Sequence, residues 1–226
     1  DQRGNLWCGT NDCGIVAYNP ATGSIRSFRS NETGLGNDIV ISSTVGKDGA
    51  LWFGSFNGGL TCYKDGRFKA YRASTNGKGL VNDNVWALKT EENGNIVIAT
   101  LGGGLQLLNP QTGQFTTYTT HNSPLVSNFL SSIAFDLTGN ILMGHAQEYS
   151  ILDAKTHKIR RLIRPKSHKF LSVSSINQIF VDSRGLLWNA GSSGLSVYDS
   201  QSDSLMTIPL FADRKAGTAY AIAEDL

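Results

Sequence analysis

Gly4-Asn5-Leu6-Trp7-Cys8-Gly9-Thr10 returns along the chain as Gly49-Ala50-Leu51-Trp52-Phe53-Gly54-Ser55 and as Gly94-Asn95-Ile96-Val97-Ile98-Ala99-Thr100. Weaker copies stand at Gly139-Asn140-Ile141-Leu142-Met143-Gly144 and Gly185-Leu186-Leu187-Trp188-Asn189-Ala190. The lead glycines occupy 4, 49, 94, 139 and 185, so the steps are 45, 45, 45 and 46 residues. Five copies in near-constant register are one supersecondary unit used five times. A period in the forties built from short strands points to propeller blades and not to a helical solenoid.

Each unit reads as four strands. A β-rich run precedes the glycine: Ile39 to Val45, Val85 to Leu88, Leu130 to Phe135, Ile176 to Val181 and Ala219 to Ala223. An acid and a turn usually follow, as in Asp182-Ser183-Arg184-Gly185 and Asp136-Leu137-Thr138-Gly139, and these are hairpin signals. The signature strand comes next, then a turn of small residues. A third strand covers Gly14 to Tyr18, Gly59 to Tyr63, Gly104 to Leu108, Tyr149 to Leu152 and Gly194 to Tyr198. The fourth covers Ser24 to Phe28, Arg67 to Tyr71, Gln114 to Tyr118, Lys158 to Ile163 and Ser204 to Ile208. Four antiparallel strands joined by short turns make one blade.

No stretch places apolar residues at i, i+3, i+4 and i+7 over three turns, so little or no helix is expected. Trp7, Trp52 and Trp188 are expected between neighbouring sheets, where large apolar area stabilises most. The chain opens inside one unit and stops after the first strand of another. That leaves a closed five-bladed ring or an excerpt of a larger propeller. A single propeller domain or fragment, residues 1–226, is the domain reading.

Composition agrees with an all-β globular chain. Its 226 residues are 40% hydrophobic and 17% charged, with a net charge of +2. No run approaches the length of a membrane helix, and no signal peptide is seen. Cys8, Cys13 and Cys62 have no metal-ligand spacing.

The pattern of a β-run with a terminal acid, then Gly-Asn-Leu-Trp-x-Gly-Thr, then Gly-(Leu/Ile)-x-x-Tyr-(Asn/Asp)-Pro-x-Thr-Gly resembles the two-component-regulator propeller repeat. Asp1 to Gly23 matches it nearly throughout, and Leu80-Val81-Asn82-Asp83-Asn84-Val85 and Leu35-Gly36-Asn37-Asp38-Ile39-Val40 are similar to its lead-in segment. The resemblance implies a periplasmic sensor region of a hybrid two-component system of the Bacteroides type. It implies carbohydrate ligands, a following immunoglobulin-like domain and membrane helix, and action as a dimer. Propellers of that kind usually have seven blades, often as two propellers in tandem. The motif is architectural and carries over no ligand-binding residue.

Candidate site residues therefore come from places where the chain departs from its own pattern. Four of the turns between second and third strands are small: Asn11-Asp12, Phe56-Asn57-Gly58, Leu101-Gly102-Gly103 and Ser192-Ser193. The fourth unit instead reads Gly144-His145-Ala146-Gln147-Glu148-Tyr149, a set suited to a sugar's hydroxyls and C–H face. Trp86 stands on a first strand where the other units carry Ile41, Ser131, Asn177 and Ala221. Either it stacks on a ligand or it fills the channel. His168 joins His145 and Glu148 as the one cluster in which hydrolase or lyase chemistry could reside. Lys155, Lys158, Arg160, Arg161, Arg164, Lys166 and Lys169 form a basic stripe with no acid. Such a stripe suits an anionic glycan or protects a sheet edge from pairing.

No nucleophile elbow, phosphate loop or metal set is present in the sequence. The small net charge and the lack of interleaved aromatics argue against nucleic acid. The sequence thus reads as an extracytoplasmic propeller that binds an oligosaccharide, with anionic ones included, without turnover. No cofactor, metal or catalytic residue is expected. The alternatives are a protein-interaction scaffold and, behind it, a propeller lyase or hydrolase.

Overall fold

The computed structural model describes residues 1–74, 78–145, 148–162, 176–192, 194–200, 202, 204–208 and 217–225. It forms two compact units, Asp1–Tyr118 and Thr119–Leu226.

The first unit holds three antiparallel sheets. β1 (Leu6–Gly9), β2 (Ile15–Tyr18) and β3 (Ile25–Phe28) form a three-stranded sheet, followed by the single-turn helix α1 (Ser30–Thr33). β4 (Val40–Val45), β5 (Leu51–Ser55), β6 (Gly59–Lys64) and β7 (Arg67–Tyr71) form the second sheet in chain order. β8 (Val85–Thr90), β9 (Ile96–Thr100), β10 (Gly104–Leu108) and β11 (Phe115–Tyr118) form the third. The first strands β4 and β8 lie beside one another, and β1, a signature strand, lies against β4.

The second unit holds two sheets of the same up-and-down design. One comprises β12 (Ser132–Phe135), β13 (Ile141–Gly144), β14 (Tyr149–Leu152) and β15 (Ile159–Leu162). The other comprises β16 (Ile176–Val181), β17 (Leu187–Gly191), β18 (Gly194–Asp199) and β19 (Ser204–Ile208). The strand expected at Ala219 to Ala223 is not formed. Its backbone is held instead by Ala219 N–H donating to Gly191 O at 2.9 Å and Ile222 N–H donating to Gln178 Oε1 at 2.6 Å. The chain is thus all-β, in five antiparallel sheets of three or four strands.

The period appears as repeated hydrogen bonding. In every turn before a signature strand the lead glycine donates to the residue three places earlier, from Gly4 N to Asp1 O at 3.0 Å through Gly185 N to Asp182 O at 2.9 Å. All five glycines have φ between +77° and +90°, which a side chain would strain. The acid at the turn's start caps it. Asp182 Oδ1 accepts from the N–H groups of Arg184 and Leu186, while Oδ2 accepts from Trp188 Nε1 at 3.0 Å. Asp1 does the same for Arg3, Asn5 and Trp7. In the second sheet Gly46 replaces the acid, and the buried Trp52 Nε1 has no partner.

A second repeated bond ties each link to the sheet it enters. Gly36 N–H donates to Thr61 Oγ1 at 3.1 Å, Val81 N–H to Gln106 Oε1 at 3.0 Å, and Val126 N–H to Ser150 Oγ at 3.2 Å. The acceptors are fully buried and would be costly to leave unpaired.

The apolar cores lie between successive sheets, as the pattern predicts. Ile15, Phe28, Leu35, Val40 and Phe53 pack with Trp7 and Tyr63 between the first and second. Trp52, Leu60, Leu80, Val85 and Ile98 do so between the second and third. Ala134, Tyr149, Ile176, Ile179 and Leu187 do so in the second unit. Trp52 is buried as expected, but Trp7 and Trp188 are only half-buried. Their indole N–H groups reach outward to Asp1 and Asp182, which holds the rings at the rim of the core.

Candidate functional site

Three of the first strands carry a β-bulge at the same place in the period. Register shifts between Val40 and Ser42, between Val85 and Ala87, and between Ile176 and Gln178. The extra residues are Ile41, Trp86 and Asn177. A bulge leaves one residue outside the ladder and re-aims its side chain, which is why bulges recur beside functional sites. The sequence marked Trp86 as the odd residue of its column; the bulge is the physical reason its ring is presented.

Trp86 is half-buried and lines a concavity of about 510 Å³ in the first unit. Phe56, Ile39 and Ile41 supply the rest of its apolar wall, and Thr10 and Asn11 its polar edge. Phe56, 38% exposed, is placed by its own N–H, which donates to Ile39 O at 3.0 Å. The next residue, Asn57, takes a left-handed φ of +52° and donates its N–H to Asn84 Oδ1 at 3.1 Å. Leu101 N–H donates to the Asn84 carbonyl, so one link residue steadies two neighbouring turns. Among the described residues, no charged side chain lines the concavity. Phe56 was passed over in the sequence as part of a small turn; its unusual size within that turn was the available signal.

A concavity of about 650 Å³ opens in the same unit among the turns that carry Arg3, Asp48 and Lys64, beside Trp7, Arg26 and Tyr63. Two of its three acids, Asp1 and Asp48, are engaged, and Asp65 is the third. Asp1 holds three N–H groups of its own turn, and Asp48 pairs with Lys64 at 2.6 Å. The Lys64 hydrogen bond keeps the Asp48 carboxyl below its ordinary range, against a smaller effect of burial. Asp1 and Asp48 thus serve the turns that carry them.

The fourth-repeat residues lie in the second unit, and two of them are turned inward. His145 is 2% exposed, and its Nε2 is 2.9 Å from Ser150 Oγ, the same hydroxyl that accepts from Val126 N–H. Burial drives the imidazole down to about 4, outweighing the Phe129 carbonyl, which acts the other way. Tyr149 is 4% exposed and gives its hydroxyl proton to Asn189 Oδ1, whose amide donates to Ser196 Oγ at 3.2 Å.

The cause is visible in the turn. His145 stands where Thr10 and Thr100 use a hydroxyl to accept from Cys13 and Gly103 N–H. The turn from Gly144 to Glu148 is one residue shorter than that from Gly9 to Gly14 or from Gly54 to Gly59. Glu148 is exposed, and its carbonyl accepts from His145 N–H at 2.9 Å. Gln147 and His168 lie outside the described residues, as does the basic stripe beyond Leu162. Lys155, Lys158, Arg160 and Arg161 are exposed, the last two on β15.

Cys8, Cys13 and Cys62 are free thiols, and burial pushes the Cys62 thiol up to about 11. Among the described residues no His/Cys/Asp/Glu group is placed to hold a metal, and no helix is long and apolar enough to cross a membrane.

No family model and no curated protein matches the chain. Solved structures do. The extracellular domain of a protein described as a hybrid two component system from B. thetaiotaomicron aligns with a TM-score of 0.76 at 18% identity, over 91% of this chain and 28% of that one. The extracellular domain of a second such system from the same organism gives 0.71 at 23% identity, over 87% and 26%. A catalytically inactive virginiamycin B lyase from Staphylococcus aureus, solved with quinupristin, gives 0.71 at 15% identity, over 93% and 68%. The chain spans little more than a quarter of the two extracellular domains it resembles. At these identities the likeness is one of architecture: the chain has the propeller-like all-β fold of the extracellular domains of Bacteroides two-component systems.

Proposed function

We propose that the chain is an extracytoplasmic, periplasmic sensing module of a hybrid two-component regulator, binding an oligosaccharide without turning it over. The observation that carries this reading is Trp86, set by a bulge on the wall of an open concavity and accompanied by the exposed ring of Phe56. Aromatic faces suit the C–H surface of a sugar, and Asn11 at the edge suits its hydroxyls. The likeness to extracellular two-component domains supports the sensor role. Binding without turnover is supported by the lining itself, which among the described residues contains no carboxylate, imidazole or amine to move a proton.

The ligand favours one arrangement of the propeller and its neighbours, and signalling follows from the shift in population. Those neighbours are a second protomer, an adjoining propeller and an immunoglobulin-like domain, as the repeat resemblance implies. Residues 1–226 belong to a single propeller domain or to part of a larger propeller. Exposed Glu148, with Gln147 and His168, forms a second candidate contact carried by the sequence.

The test is calorimetric titration of the wild-type chain and Trp86→Ala with neutral and anionic oligosaccharides, with product analysis after long incubation. The expected result is saturable binding without product, weakened about tenfold or more in the variant, as a deleted hot-spot aromatic commonly is. Equal affinity in a folded Trp86→Ala protein would remove the site, and appearance of product would replace the sensor with an enzyme.

A further inference from the structure

The lining of the Trp86 concavity selects among sugars, and this inference rests on the oligosaccharide reading above. Its residues are aromatic, aliphatic, hydroxyl or amide, with no Arg, Lys, His, Asp or Glu among them. A carboxylate or sulfate brought against Phe56, Ile39, Ile41 and Trp86 would lose hydration and find no cation in return, an unfavourable exchange. An uncharged ring with its hydroxyls equatorial has the opposite balance. Its axial C–H groups form a flat apolar face for the indole, and its hydroxyls project sideways to Asn11 and solvent.

The volume agrees with a short ligand. About 510 Å³ lies within the usual range for small-ligand pockets and accommodates a few pyranose rings. The walls are also braced. Phe56 is tied through its backbone to Ile39, and Thr44 and Thr90 on the adjoining first strands join hydroxyls at 3.0 Å. A wall braced at its backbone costs less ordering on binding than a mobile one.

We propose that this concavity takes the uncharged, equatorially substituted segment of a glycan, a β-linked glucan-type oligosaccharide, and discriminates against uronic and sulfated rings.

The experiment compares a β-1,4-linked glucose tetrasaccharide with uronate-containing and sulfated oligosaccharides of equal length. Affinity is measured by calorimetry at low and high salt, and tryptophan emission is followed in wild type, Trp86→Phe, Trp86→Ala and Phe56→Ala. The expected result is binding of the neutral sugar with affinity unchanged within about twofold as salt rises, because no screened ion pair contributes. Its emission change should vanish in Trp86→Ala and be partly kept in Trp86→Phe, with affinity about tenfold weaker in Phe56→Ala. Preferential, salt-sensitive binding of the charged sugars overturns the selectivity and leaves the sensor reading standing. Silence toward all of them in a correctly folded chain overturns both.

Discussion

Trp86 stands at the bulge of β8 with its indole half-exposed in an uncharged concavity, whereas His145 stands beyond the end of β13 with its ring 2% exposed against Ser150. Both are departures from a repeated pattern, and both belong to residue types that bind ligands. What separates them is the backbone. A bulge adds a residue to the strand and turns it out of the ladder. The position of His145 faces inward in other repeats too, where Ser55 and Thr100 are fully buried. Chemistry alone nominates both positions, but local register decides which one meets solvent.

Tyr149 gives the largest test of that contrast. As a core aromatic it should cost about 3–5 kcal/mol when replaced by alanine, read from denaturant unfolding. A loss below about 1 kcal/mol would return Tyr149 to the surface and restore the fourth-repeat turn as an open site.

The second test is the pH dependence of His145. Its unfolded value is near 6.5, while burial holds it at about 4 in the fold. Below 6.5 the unfolded chain binds the proton first, so stability should fall by about 3 kcal/mol in all between pH 6.5 and 4, then level off. His145→Gln should remove that slope. The carboxylates act lower down. Hydrogen bonds from Trp188 and Arg184 hold Asp182 at about 2 although burial opposes them, so its contribution is lost only as pH falls from about 4 through 2. A slope in the His145→Gln protein equal to that of wild type would mean that another group titrates in its place.

The smallest effect concerns a turn where the repeat lacks its acid. Gly46→Asp should satisfy Trp52 Nε1 and add about 1 kcal/mol, provided the Asp48 carboxylate, 2.8 Å from the new Cβ, swings toward Lys64. A thermal midpoint lower than wild type would show that Asp48 already serves that turn.

Much of the architecture was readable because it is periodic. The lead glycines marked turns that need a left-handed residue, and the strand limits from Arg67 to Tyr71 and from Ile176 to Val181 are those observed. Trp86 was readable as an exception to its column. Its bulge was not, because a register shift is a relation between two strands that neither sequence contains alone. The inward turn of His145 was hidden for a related reason. That its position faces inward, as Ser55 and Thr100 do, shows only when the partner hydroxyl, Ser150, is found across the sheet. The rim positions of Trp7 and Trp188 follow from their carboxylate partners six residues earlier, a pairing that apolarity gives no reason to expect.

The bonds from Gly36, Val81 and Val126 to Thr61, Gln106 and Ser150 span 25, 25 and 24 residues, well under one period. Each donor lies just before a sheet and each acceptor inside it. A duplication or deletion of one full period therefore carries donor and acceptor together, or rejoins a donor to an equivalent acceptor. No buried group is left unpaired at the new joint. An array stitched this way can lengthen or shorten by whole repeats at little energetic penalty, which makes the number of sheets an adjustable trait of the gene and not a fixed property of the fold.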